Sequence, residues 1–188
     1  MLVGAETEFI TDADTVGLQA LLSRNGDRIE YLVGSIHHVN EIPIDFDQAT
    51  FIRALSSFAP DVEDEQEKRA MGALLEHYLD VQYELLIRFR PEVIGHLDLC
   101  RLYHPHLEFD QFPIAKAKLE RNIDYACNYG ALFEINAAAF RKGWNTAYPG
   151  RDVLEVRTKL ALIFSILEQF LSFTGIDYHT AWRSTDYI

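Results

Sequence analysis

The chain has 188 residues, 48% of them hydrophobic, and a formal net charge of −12 at pH 7. That length and apolar fraction suit one globular unit spanning residues 1–188, with a real core and no flexible linker. The acidity argues against a nucleic-acid backbone as partner, since such binding depends on clustered Lys and Arg that release counterions.

The first element is a short apolar strand, Leu2-Val3, running into Gly4-Ala5-Glu6. Asp12 to Leu22 reads as a helix, and a second strand, Tyr31-Leu32-Val33, leads into Gly34-Ser35-Ile36-His37-His38. The stretch from Val39 to Asp47 is long for a β/α connection, and long loops in compact domains are more often functional than accidental. Acidic residues from Asp61 to Glu67 open a long helix, where negative charge suits the dipole. Its apolar positions Met71, Leu74, Leu75, Tyr78, Leu79, Leu85, Leu86 and Phe89 recur at helical spacing until Pro91 stops the run.

A strand at Val93-Ile94 follows and runs into Gly95-His96-Leu97-Asp98. Ile114 to Tyr129 repeats the helical pattern with Ile123, Ala126 and Cys127 inward, and Gly130 serves as its cap. The next strand, Ala131 to Ile135, places Glu134 and Asn136 at its end. Strand, helix, strand, helix, strand predicts a parallel α/β architecture. Leu154 to Phe173 has helical spacing, and Thr174 to Ile188 has no clear strand.

The longest apolar stretch, Leu160 to Phe173, is interrupted by Ser165, Glu168, Gln169 and Ser172, too short and too polar to span a bilayer. No charged-then-apolar leader follows Met1, so no membrane partner is expected. The two cysteines, Cys100 and Cys127, have neither metal-ligand spacing nor a disulfide framework, which makes a reducing cytoplasm the expected compartment.

Four strands thus end in polar strings, and in β/α barrels catalytic groups gather at the strands' carboxyl ends. Glu6, His37 and His96 form a candidate ligand set for zinc, manganese or iron, because imidazoles with a carboxylate and an open position are usual in hydrolytic metal centres. Such an ion makes hydroxide available near neutral pH. Any one of these histidines alone would be an ordinary polar side chain; matching strand ends make the set meaningful. His38 should point to the other side of the local backbone and reads as either a support behind the ligands or an ordinary side chain. Arg101, Arg141 and Lys142 lie a few residues past strand ends and are candidates for holding a substrate oxyanion, although each by itself would read as surface charge. Asp98 could orient a ligand histidine or simply cap its loop. His77, His104, His106, Tyr78 and Tyr83 read as packing residues.

Gly4-Ala5-Glu6, Gly34 to Asn40 with Ile44-Asp45-Phe46-Asp47, Ile94 to Leu99, and Glu134 to Ala138 with Arg141-Lys142-Gly143-Trp144 and Tyr148-Pro149 together resemble the histidinol phosphatases of the polymerase-and-histidinol-phosphatase (PHP) superfamily. The resemblance covers Met1 to Gly150. It implies a distorted (β/α)7 TIM-like barrel with metals at the strand ends, hydrolysing L-histidinol phosphate to L-histidinol and phosphate in histidine biosynthesis. It places Glu6, His37 and His96 on metal-ligand positions, and Arg141 and Lys142 in a conspicuous family string.

Two family motifs lack good copies, a His-x-His on a strand upstream of Gly4 and a closing Ser-Asp-x-x-His; Asp177 and His179 have the spacing but not the surroundings. A shortened chain with an incomplete barrel is the corresponding expectation. The competing readings are an inactive remnant acting as a binding or interaction protein, and a related phosphoesterase with another substrate.

Overall fold

The computed structural model describes residues 2–59, 64–158 and 164–165. Its elements are β1 (Gly4–Thr7), α1 (Asp12–Asn25), β2 (Tyr31–Gly34), β3 (His38–Val39), β4 (Ile42–Pro43), α2 (Gln48–Ser56), α3 (Asp64–Phe89), β5 (Val93–Ile94), α4 (Pro113–Asn128), β6 (Leu132–Glu134), α5 (Ala138–Arg141), α6 (Arg151–Thr158) and β7 (Phe164–Ser165). Single 3₁₀ turns at Leu99–Arg101 and Phe109–Gln111 lie between β5 and α4.

Five strands form one sheet in the order β1-β2-β5-β6-β7, and every pairing is parallel. This is the α/β arrangement that the alternation predicts, the sheet arc of a distorted TIM-like barrel. The register pairs Glu6 with Val33, Gly34 with Ile94 and Ile94 with Phe133, which brings the polar strings to one end. Ladder-like bonds continue past the strands, from Ser35 N–H to the Thr7 carbonyl and from Gly95 N–H to the Gly34 carbonyl, both 3.0 Å. These bonds carry the order of the sheet into the strings that bear Glu6, His37 and His96.

The core lies between the sheet and helices α3 and α4. On α3 the predicted stripe is buried: Met71, Leu74, Leu75, Tyr78, Leu79, Leu85 and Leu86. From α4, Ala115, Leu119, Ile123 and Ala126 face it. Buried amides in this seam are satisfied, since the Asn122 side chain donates to the Leu79 carbonyl at 2.7 Å and to Gln82 Oε1 at 3.1 Å. Helix α4 ends as expected at Gly130, whose φ of +87° is left-handed. The Gly130 and Ala131 amides donate to the Cys127 and Ala126 carbonyls at 3.0 Å, the paired bonds of a Schellman stop.

Two features depart from the sequence expectation. The stretch after His37 is a hairpin followed by a helix: β3 and β4 are antiparallel, joined by Asn40 and Glu41 at φ 49° and 63°, the left-handed pair that a two-residue turn favours. Asp47 then caps α2, accepting from Thr50 N–H at 2.7 Å while its own amide donates to Thr50 Oγ1 at 3.2 Å. Within the stretch expected to be helical from Leu154, α6 (Arg151–Thr158) covers the first residues, but Phe164–Ser165 pair with Phe133–Glu134 as a strand. There the open edge of β6 outweighs helical spacing. No helix among the described residues is long and apolar enough to cross a membrane.

Candidate metal centre

Glu6, on β1, turns its carboxylate toward the loop after β2, where Ser35 Oγ donates to Glu6 Oε1 at 2.7 Å. His37 follows in that loop and His96 lies just past β5. Their Nε2 atoms are 3.2 Å apart, and Glu6 Oε1 lies 3.5 Å from His96 Nε2 and 4.0 Å from His37 Nε2. The rings meet edge to face, with centroids 4.7 Å apart. One potential ligand atom from each residue converges on the same spot, a grouping that could hold a metal ion. Donors bonded at about 2.0–2.1 Å to a tetrahedral ion are about 3.3 Å apart, so the first two separations fit and the third needs a small movement of the half-exposed Glu6.

The electrostatics of Glu6 agree with that donor set. Its hydrogen bond with His96 is the chief cause that holds the Glu6 carboxyl down to about 2; partial burial opposes this, and Ser35 adds to it. The carboxylate is therefore ionised over the whole working range. Burial disfavours a charged His37, but the neighbouring Glu8 carboxylate outweighs it and raises the imidazole pKa above its ordinary value.

The frame around the three residues is tight. Glu134, at the end of β6, accepts from the His96 backbone amide at 2.8 Å and from Asn136 Nδ2 at 2.9 Å. A Cβ on Gly95 would come within 2.5 Å of Ser35 Oγ and 3.2 Å of Val33 Cγ1. Only glycine lets the β5 string approach the hydroxyl that orients Glu6.

Glu8 was not singled out from the sequence. Its carboxylate accepts from the His37 amide at 2.8 Å and faces His37 Nδ1 at 3.3 Å and His38 Nδ1 at 2.5 Å. The signal was present as Glu6-x-Glu8, because residues two apart on a strand share a face.

Arg101 requires a correction. It is 2% exposed, and all five of its N–H groups are engaged: Nε and one amino group with Asp98 Oδ2, the others with both oxygens of Asp152 and the Leu107 carbonyl. A guanidinium has five donors, so none is left for a substrate oxyanion. Asp98 is correspondingly occupied by Arg101 and by the Gly150 amide at 2.7 Å. The histidine-orienting carboxylate seen here is Glu8, on His37. His96 Nδ1 and Asp98 Oδ1 are buried without a hydrogen-bond partner among the described residues.

Arg141 and Lys142 are exposed at the end of α5, the short helix that leaves the carboxyl end of β6. The Asn136 side chain starts α5 by accepting from Ala138 N–H at 2.8 Å, and paired backbone bonds between Asn136 and Tyr148 close the loop. Asp177 and His179 lie outside the described residues.

A family model described as "PHP domain" matches residues 1–138. The chain is 37% identical over 186 residues to a Schizosaccharomyces pombe protein named a probable histidinol-phosphatase, a match covering 96% of this chain and 57% of that protein. It is 31% identical over 180 residues to a Saccharomyces cerevisiae histidinol-phosphatase, covering 84% of this chain and 51% of the relative. The chain thus spans little more than half the length of these curated relatives. A solved structure from Listeria monocytogenes, named as a candidate histidinol phosphatase, superposes with a TM-score of 0.61 at 16% identity, covering 86% of this chain and 60% of that one. At that identity the likeness is one of fold.

Proposed function

This chain belongs to the PHP-domain family, and on that premise we propose that it carries a divalent-metal-dependent phosphomonoesterase site acting on L-histidinol phosphate. The observation that carries the reading is the convergence of Glu6, His37 and His96 at the carboxyl end of a parallel sheet, with spacings suited to one small ion. The substrate class comes from the relatives, both named as histidinol-phosphatases.

Glu6 Oε1 and the two Nε2 atoms would hold the ion, and the mixed nitrogen and oxygen set suits zinc, manganese or iron. When bound, such an ion supplies Lewis acidity, making a nucleophile available near neutral pH and offsetting charge on phosphoryl oxygens. The chain's own groups do the rest. Ser35 fixes the Glu6 oxygen that faces the histidines, and Glu134 anchors the His96 backbone. Arg141 and Lys142, exposed past β6, are the cations proposed to meet the phosphate ester. Arg101 is left out of that role by its saturated donors.

Phosphate release from L-histidinol phosphate by the purified chain, with added zinc or manganese and a chelator control, tests the reading. Chelator-sensitive turnover that is lost in His37→Ala and His96→Ala is the expected result. Wild-type turnover and metal content left unchanged by both substitutions would remove the assigned roles.

A further inference from the structure

We infer that Glu8 is a positioning residue that sets the tautomer of His37, so that the Nε2 lone pair faces the donor cluster. This rests on the reading of Glu6, His37 and His96 as a metal centre. Glu8 Oε1 accepts the His37 backbone N–H at 2.8 Å, a bond with only one possible direction. The same carboxylate therefore stands as an acceptor beside the His37 ring, with Oε2 3.3 Å from Nδ1. An ionised carboxylate can only accept, so in the neutral ring the proton sits on Nδ1 and Nε2 carries the lone pair. That Nε2 is the atom facing His96 at 3.2 Å.

His38 completes the arrangement. Neighbouring residues on a strand point to opposite faces, yet both Nδ1 atoms reach Glu8 because His37 precedes β3 and the chain turns there. The two histidines thus have different tasks: His37 offers its far nitrogen to the cluster, and His38 braces the carboxylate that holds His37. Metal-bound imidazoles usually give their second nitrogen to such a partner, and its loss typically weakens metal binding about 10–100-fold.

Glu8→Gln tests this with two readouts on the purified 188-residue chain. Long-range 1H–15N correlation spectra of the metal-free protein, at a pH where the imidazoles are neutral, report the His37 tautomer. Zinc titration reports affinity. The wild type is expected to show the Nδ1–H form, and Glu8→Gln a mixture of tautomers with zinc bound about 10–100-fold more weakly. Glu8→Asp, which keeps the charge on a shorter stem, should retain the Nδ1–H form with a smaller loss.

An Nε2–H tautomer in the wild type overturns the inference without any variant. So does a folded Glu8→Gln with unchanged tautomer and unchanged zinc affinity. A wild-type chain that binds no divalent ion would overturn the metal-centre reading instead. The tautomer comparison, made on ion-free protein, would still decide whether Glu8 sets His37.

Discussion

Replacing Arg101 by Met removes a guanidinium whose five donors are all spoken for. Asp98 is 0% exposed, and after the substitution its carboxylate keeps only the Gly150 amide among the described residues. Removing one member of such a buried pair costs about 3–5 kcal/mol, because the partner charge stays behind without compensation. Asp152 adds little, since its side chain is 28% exposed and can turn to water. In a chain of this size each kcal/mol moves the melting temperature by about 2–4 °C, so Arg101→Met should melt about 6–20 °C below the wild type.

Thermal unfolding followed by circular dichroism measures this directly. The double variant Asp98→Leu with Arg101→Met should recover much of the loss, because no buried charge is then stranded. A single variant melting within about 2 °C of the wild type, with a raised KM for the phosphate ester, would refute the reasoning and return Arg101 to the substrate.

Gly95→Ala should lower stability by about 1–3 kcal/mol through overpacking, and it should also weaken zinc binding because the new methyl displaces Ser35 Oγ from Glu6; melting curves and a zinc titration check both effects. Saturating the centre with zinc at about 100 times its Kd should stabilise the fold by about 2.7 kcal/mol, and excess chelator should reverse the gain in a melt. Gly130→Ala meets nothing within 4 Å among the described residues, so its cost should be that of the left-handed backbone, about 1–2 kcal/mol, with zinc affinity unchanged.

Much of this protein was legible from local signals. The stripe on α3, the stop at Gly130 and the strand–helix alternation depend on residues a few positions apart, where propensity and periodicity act directly. Glu6, His37 and His96 could be named because histidines and a carboxylate at strand ends are chemically distinctive, and a parallel sheet brings such ends together. The capping pair Asp47 and Thr50 is a local signal of the same kind, three residues apart at the start of α2.

Other assignments needed the folded chain. His37 and His96 are 59 residues apart, and Arg101 meets Asp152 across 51. No spacing rule reaches across those distances, so Arg101, a candidate for the substrate oxyanion from sequence, is in fact a buried tie between the segment after β5 and α6. Likewise, the adjacency of His37 and His38 says nothing about their sharing Glu8, which depends on how β1 lies beside β2. Sequence alone determined which groups could do the chemistry, through residue type and local period. Which of them meet, and which are used up in holding the others, was decided by long-range packing, where each polar group that leaves water must find a partner.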